Sequence, residues 1–288
     1  MNLFLEEIMK KIAIITDSAG DLSASFAKKH NIKVIPLRIC FSDREFLDGV
    51  NIRSSEIYQF MDKEIPKSSL PYRNDIISTF EQVKSEGYTD VIYIGISSGL
   101  SGTFNSVRLI ANEFDGLNIH CFDSKALSCA QNMLISTAVT ALKTTDNVQE
   151  ILNKLQKTRK KMVAMFCVRD LTYLIKGGRI GKVAGTVGTL LKLCPVIKVN
   201  DDGVYETASK TIGFNRAIDT LINEIKTHFA NAEIAISLTY SSNKEIAEKI
   251  KAEIKKHCKV KFCEMNPVTA VLGVHTGPDM AGIAAYQI

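Results

Sequence analysis

The stretch Gly95-Ile96-Ser97-Ser98-Gly99 matches the G-x-S-x-G pattern of a nucleophilic serine on a turn between strand and helix. Asp123 and His275 follow it in the order in which the acid and the histidine follow the serine of α/β-hydrolases. The pattern predicts a serine hydrolase that uses Ser97, Asp123 and His275 on a lipid-like ester. Leu100-Ser101-Gly102 prolongs the loop where a helix should begin, and no His-Gly-Gly oxyanion loop is present, so we treat this as the alternative hypothesis.

The same loop can also serve as an anion site. Unpaired N–H groups and the positive end of the dipole at a helix start favour a negative group, and serine hydroxyls add donors. Arg179 lies beside Gly177-Gly178 and has a donor fork suited to a carboxylate or a phosphate. Asp17 and Asp123, each followed by serine, could hold a metal, but capping of local backbone N–H groups is the more frequent role and the one we expect.

Strand, polar loop and helix alternate three times in the first half of the chain, with the loops at Asp17, Ser97 and Asp123. This alternation predicts right-handed βαβ units and a parallel sheet, whose loops meet at one edge. Further strands, a hairpin and helices follow a glycine-rich basic segment. We therefore expect two α/β domains, residues 11–168 with a parallel sheet flanked by helices and a smaller domain, residues 169–288, with a mixed sheet. The ligand should lie between them.

Composition limits the class of protein. The chain has 288 residues, 45% of them hydrophobic and 23% charged, with a net charge of +5 spread along its length, which does not favour nucleic-acid binding. Seven cysteines lack the spacing of a metal or redox motif, and several lie in apolar runs, so we expect buried thiols and a cytoplasmic location. No stretch reads as a secretory signal or a membrane span.

Several ordered motifs together resemble the DegV family of fatty-acid-binding proteins. They are Thr16-Asp17-Ser18, Ser97 to Thr103, Asp123-Ser124, Gly177-Gly178-Arg179-Ile180 and His275-Thr276-Gly277-Pro278. The resemblance spans nearly the whole chain. It implies a two-domain α/β protein that encloses one long-chain fatty acid in a buried tunnel, with the carboxylate at the domain interface.

The resemblance also implies which residues hold the carboxylate. On this sequence they are Ser68, Ser97, Ser98, Arg179 and His275. It implies a lipid-binding subunit with no catalytic residue, metal or cofactor of its own. Such a subunit presents the fatty acid to a separate fatty acid kinase catalytic subunit, which makes an acyl phosphate for phospholipid synthesis.

Three positions depart from the family pattern. Leu70 stands where the family has a polar residue before a proline, and Asp279 stands where glycine usually follows Gly-Pro. Around Ile212 most of a basic cluster is missing, with Lys210 and Arg216 retained. Fatty acid binding is therefore better supported by the motifs than pairing with a kinase.

Overall fold

Apolar, β-branched runs form the central strands of the fold, and helices follow them as the alternation predicts. The computed structural model describes residues 11–186 and 193–288. Over these ranges the strands are β1 (Ile12–Asp17), β2 (Lys33–Ile35), β3 (Arg38–Cys40), β4 (Glu45–Leu47), β5 (Lys67–Ser69), β6 (Asp90–Gly95), β7 (Asn118–Asp123), β8 (Val163–Val168), β9 (Val196–Val199), β10 (Tyr205–Ser209), β11 (Glu233–Tyr240), β12 (Lys259–Pro267) and β13 (Met280–Gln287).

The helices surround and separate the sheets. Over the same ranges they are α1 (Ala24–Lys29), α2 (Ser54–Met61), α3 (Arg73–Ser85), α4 (Thr103–Asn112), α5 (Ser128–Ala141), α6 (Val148–Lys161), α7 (Thr172–Lys176), α8 (Phe214–His228), α9 (Lys244–Lys255) and α10 (Ala270–Thr276), with short 3-10 turns at Ser18–Gly20 and Gly181–Thr186.

The first sheet is parallel and has the strand order β2-β1-β6-β7. Strand β6 is buried along its whole length, which suits a parallel sheet covered by helices on both faces. Helices α3 and α4 pack on one face, and α5 and α6 pack on the other. The loops at Asp17, Ser97 and Asp123 therefore meet at one edge of the sheet, as predicted from the alternation.

The second sheet is mixed and has the order β10-β9-β8-β13-β11-β12. Helices α8 and α9 cover one face, and α5 from the first half of the chain packs on the other through Ala235 and Ala284. Helix α5 is thus shared between the two sheets, and the predicted architecture of two α/β domains is confirmed. Strand β8, expected in the first domain, pairs with β9 and β13, so a boundary drawn by sheet membership falls before Val163 rather than after Val168.

Two elements were not predicted from the sequence. Strand β5 pairs with β3 in a small antiparallel sheet of order β4-β3-β5. Helix α10 runs from Ala270 to Thr276 and is buried throughout. Both elements carry residues of the predicted site, Ser68 on β5 and His275 on α10.

Two buried carboxylates hold the start of α10 against the first domain. Asp21 accepts hydrogen bonds from Thr269 N at 2.8 Å and from Thr239 Oγ1 at 3.0 Å, and Asp48 accepts one from Val271 N at 3.2 Å. Burial raises the pKa of Asp21 to about 6. Burial, together with the nearby charge of Asp21, raises the pKa of Asp48 to about 7. The contact between α10 and the first domain therefore includes acids that hold their protons more tightly than in the unfolded chain.

This arrangement makes the stability of the protein depend on pH in a predictable direction. The pKa of Asp48 in the folded protein lies above its ordinary value of 3.8, so the folded state binds the proton more tightly than the unfolded state does. The contribution of protonated Asp48 to the free energy of unfolding therefore decreases as the pH rises from about 4 to 7. We expect the free energy of unfolding of the wild type, measured relative to Asp48→Asn, to fall by up to about 1.4 kcal/mol per pH unit in that window. Urea unfolding at several pH values measures it. The exposed Asp201→Asn variant serves as the control and should follow the wild type, and identical pH slopes for wild type and Asp48→Asn would contradict the prediction.

Candidate functional site: an apolar cavity with a cationic end

A cavity lies between the first sheet region, α5 and the inner face of the second sheet. Its empty volume is about 800 Å³, including the part that is open to solvent. Most of its wall is apolar, contributed by side chains such as those of Leu37, Ile96, Leu127, Phe166 and Ile283. The second half of α10 closes one side. A cavity with such a wall favours a hydrocarbon chain over a polar guest.

Three of the five residues predicted to bind a carboxylate line this cavity: Ser68, Arg179 and His275. Ser68 Oγ lies 2.8 Å from His275 Nε2, so β5 and α10 place the two side chains in hydrogen-bond contact. Arg179 is half-buried, and its Nη1 donates to Gly177 O at 2.8 Å, which fixes one edge of the guanidinium. These residues come from distant parts of the sequence and form one polar end of the cavity.

The charge of this end comes from Arg179. Within residues 11–186 and 193–288, no ion pair joins Arg179 to a carboxylate. Burial, and secondly the positive charge of Arg179, lowers the pKa of His275 to about 4, so its imidazole is neutral at neutral pH. His275 Nδ1 is buried and has no hydrogen-bond partner in the described part of the chain. The polar end therefore carries one positive charge and hydrogen-bonding groups, which suits a single anionic head group.

Gly177 allows the loop to pass close to His275. A Cβ atom built on Gly177 would lie 2.1 Å from His275 Nδ1, far inside van der Waals contact. The backbone at this position is ordinary right-handed helical, with φ −74°. Glycine is therefore required here for space rather than for conformation.

Ser97 and Ser98 do not line the cavity. Ser97 is fully buried, and its Oγ donates to Gly203 O at 2.7 Å in the hairpin between β9 and β10. The hydroxyl of Ser98 accepts from Lys125 Nζ at 2.8 Å. Ser97 therefore holds the loop against the second sheet region, and Ser98 ties it to the segment between β7 and α5. The expectation that their side chains face the ligand is not met.

The serine hydrolase alternative is wrong on geometric grounds. The hydroxyl of Ser97 is committed to Gly203 O, and the ring of His275 contacts Ser68. Asp123 accepts hydrogen bonds from Ser98 N at 3.2 Å and Lys125 N at 3.1 Å instead of orienting an imidazole. These predicted partners form no triad, because each is held by a different neighbour.

Asp17 and Asp123 each accept a hydrogen bond from the backbone N–H two residues further on, Ala19 N at 3.2 Å and Lys125 N at 3.1 Å, which is the local capping role that we expected. Asp17 is buried and accepts from Ile96 N at 2.8 Å and from Tyr93 Oη at 2.9 Å. Burial raises its pKa. Among the described residues, no cluster of three or more His, Cys, Asp or Glu side chains is arranged to hold a metal ion. In the same ranges, no helix is both long and apolar enough to cross a membrane.

Two further serines with polar side chains line the cavity and were not predicted from the sequence. They are Ser101 and Ser128. Ser101 belongs to the same serine-rich loop as Ser97 and Ser98, and the sequence alone did not show which of these serines faces the cavity.

Two departures from the family pattern, Asp279 and Leu70, do not line the cavity. Asp279 pairs with Arg169 Nε at 3.1 Å, so its charge is neutralised locally. Leu70 is partly exposed.

The fold and the cavity define a two-domain α/β protein with a largely apolar cavity between its layers. Residues 11–287 match the family model described as an uncharacterised protein of the DegV family. A DegV domain-containing protein of Clostridium acetobutylicum is 36% identical over 279 residues, covering 97% of this chain and 100% of that protein. One of Clostridium perfringens is 35% identical over 279 residues, covering 97% and 99%. The chain belongs to the DegV family.

Solved structures share the whole fold. A DegV family protein of Thermus thermophilus, described as binding fatty acid, has a TM-score of 0.90 and 28% identity over 96% of this chain and 100% of its own. A protein of Eubacterium ventriosum described as binding stearic acid has a TM-score of 0.87 and 28% identity over 96% and 98%. Bacillus subtilis DegV, described as a fatty acid binding protein, has a TM-score of 0.85 and 25% identity over 97% and 100%.

The close approach of Gly177 to His275 predicts a sharp steric effect. In Gly177→Ala the new methyl group must displace the His275 ring, and we expect a loss of about 1–3 kcal/mol in the free energy of unfolding. Gly185→Ala is the matched control, since a Cβ there meets nothing within 4 Å. Urea unfolding of both variants tests this. Equal stability of the two variants would show that the ring is not held against the loop.

Proposed function

We propose that this protein binds a single long-chain fatty acid, with the acyl chain in the apolar cavity and the carboxylate at Ser68, Arg179 and His275. The observation that carries the proposal is the Arg179 guanidinium, which stands without a carboxylate partner among the described residues at the polar end of a largely apolar cavity. A fatty acid has the complementary form, a hydrocarbon chain that ends in one negative charge.

The energetics favour this ligand over a purely apolar or a purely ionic one. Burial of each CH₂ group contributes about 0.8 kcal/mol, so a long chain in this cavity gains most of its affinity from the hydrocarbon. A carboxylate is costly to bury unless a charge and hydrogen-bond donors satisfy it. Arg179 supplies the charge, while the Ser68 hydroxyl and the neutral imidazole of His275 supply hydrogen bonds.

Similarity to the fatty-acid-binding DegV proteins described above supports the same ligand class. Ser97 and Ser98 were predicted to share the carboxylate, and in our proposal they instead hold the loop that contributes Ile96, Leu100 and Ser101 to the cavity wall. No metal or further cofactor takes part in the proposed binding.

We also propose that the protein is not itself catalytic and presents the carboxylate to a separate fatty acid kinase catalytic subunit, which would supply acyl phosphate for phospholipid synthesis. The polar end of the cavity supports this role, because Arg179 follows α7, whose Ile175 and Lys176 are exposed. An exposed apolar and basic surface beside the carboxylate end is suited to a partner that must reach that group.

Removal of the guanidinium should release the ligand. We expect organic extraction and mass spectrometry of the wild type to recover about one fatty acid per protein. Arg179→Ala loses charge-assisted hydrogen bonds and should bind about 10- to 100-fold more weakly. Measurement by displacement of a fluorescent fatty acid gives the ratio.

Lys182→Ala is the matched control for that substitution. Lys182 lies three residues further along the same segment, but its ammonium is exposed and contacts Asp202 at 3.4 Å. Its affinity for the fluorescent fatty acid should equal that of the wild type. A wild-type protein that contains no extractable fatty acid and takes up none would refute the proposed function.

The kinase relationship has its own test. Protein loaded with labelled oleate is mixed with ATP and a purified bacterial fatty acid kinase catalytic subunit, and hydroxylamine traps any acyl phosphate as the hydroxamate. We expect hydroxamate only when both proteins are present, and much less with Arg179→Ala. A loaded wild type that yields none would leave fatty acid binding intact and refute presentation to this kinase.

A further inference from the structure

A second cavity opens further along α5, toward the C-terminal end of that helix. It is lined by Met133 and Thr137 of α5, by Ala235 of β11 and by Tyr286 of β13, with Lys154 and Lys157 of α6 at its rim. It therefore lies between α5 and the inner face of the second sheet, as the first cavity does. The two cavities share the same pair of layers.

The strand register shows how near the two cavities come to each other on the sheet. Thr239 and Gly282, which pair, line the first cavity. Ala235 and Tyr286, which also pair, line the second. Gly282 and Tyr286 are four positions apart, a distance of about 14 Å along a strand.

Small side chains occupy the sheet between these pairs. Ser237 pairs with Ala284, and Ala284 pairs with Ala164 of β8 on its other side. Side chains two residues apart on a strand share a face, so this row points toward α5 in the same way as the rows on either side of it. Because these side chains are small, a side chain of α5 must fill the space between this part of the sheet and the helix.

Helix α5 fills that space with Met133. Cys129 and Ala130 line the first cavity, and Met133 and Thr137 line the second, so Met133 is the part of the second cavity's wall on α5 that lies nearest the first cavity. Residues four apart lie on one face of a helix, so Cys129, Met133 and Thr137 form a continuous row. Met133 is only 3% exposed and packs in one cluster with Ala235 and Ala284. Because helical side chains lean toward the N-terminus, the Met133 thioether leans toward the first cavity.

We propose that Met133 closes the far end of the fatty acid cavity and thereby sets the longest acyl chain that the protein accepts. The proposal rests on the proposed function, because it assigns the first cavity to the acyl chain. Truncation of Met133 joins the first cavity to the second, so that the end of a longer chain passes over Ala284 and Ser237. Methionine is flexible and unbranched, which suits a side chain that terminates a passage of irregular shape.

The test measures affinity for a series of saturated fatty acids of increasing length, by displacement of a fluorescent fatty acid. In the wild type, each added methylene should strengthen binding until the chain reaches Met133, and longer acids should then bind more weakly. In Met133→Ala the chain length of highest affinity should increase by about two methylenes. Each methylene that the enlarged cavity accommodates should raise the affinity about fourfold. Met133→Val is a milder truncation, which keeps the test available if the alanine variant does not fold.

Two control variants separate the length effect from a general loosening of α5. Met133→Leu conserves volume and should keep the wild-type maximum. Leu134→Ala creates a cavity at a neighbouring, fully buried position that lines neither cavity, and it should also keep that maximum. An unchanged maximum in the folded Met133 truncations would overturn the proposal, and so would an equal shift in Leu134→Ala. A wild type without affinity for any acid of the series would instead refute the proposed function itself.

Discussion

Helix α5 is the element on which the rest of the structure depends, because it must satisfy two sheets at once. Eleven of its fourteen residues are buried, so it behaves as a core helix rather than as an amphipathic surface helix. Its packing joins the parallel sheet to the mixed sheet in one hydrophobic cluster. The apolar cavity lies where this packing is incomplete, at the first turn of the helix. The cavity is thus a property of the contact between the layers, and neither sheet forms it alone.

Electrostatics divides the interior into two kinds of polar site. The buried acids Asp17, Asp21 and Asp48 each accept hydrogen bonds from backbone N–H groups, and they hold loops and the start of α10 in place. Arg179 differs from them, since it makes one hydrogen bond to a carbonyl and no ion pair with the described residues. It is therefore a cation at the edge of the cavity whose charge no carboxylate of the described residues balances. Because the three acids have hydrogen-bond partners within the protein, we assign them a structural role. Because Arg179 has no ion-pair partner among the described residues, we assign it the binding role proposed above.

The serine-rich loop shows how one motif can support two incompatible hypotheses. Its sequence fits a nucleophile turn, and its order with Asp123 and His275 fits a hydrolase. In the structure the hydroxyl of Ser97 bridges to Gly203 O of the second sheet region, so the loop is fixed at the contact between the domains. The local sequence shows which side chains are available, but the carbonyl that the Ser97 hydroxyl binds lies 106 positions further along the chain.

Hydrophobic periodicity and the alternation of strands with polar loops determined the two α/β domains, the parallel sheet and the convergence of Asp17, Ser97 and Asp123. These are local patterns, and the physics behind them acts within one element or between successive ones. The motifs at Arg179 and His275 likewise pointed to an anion site.

The sequence did not reveal β5 or α10, because both are short and are held by pairing and burial against distant segments. Nor did it assign β8 to the second sheet, since a buried apolar strand pairs equally well with either sheet until the layers are assembled. Tertiary structure alone decided which hydroxyls face the cavity, because that depends on the long-range contacts that bring Ser68 to His275 and turn Ser97 away.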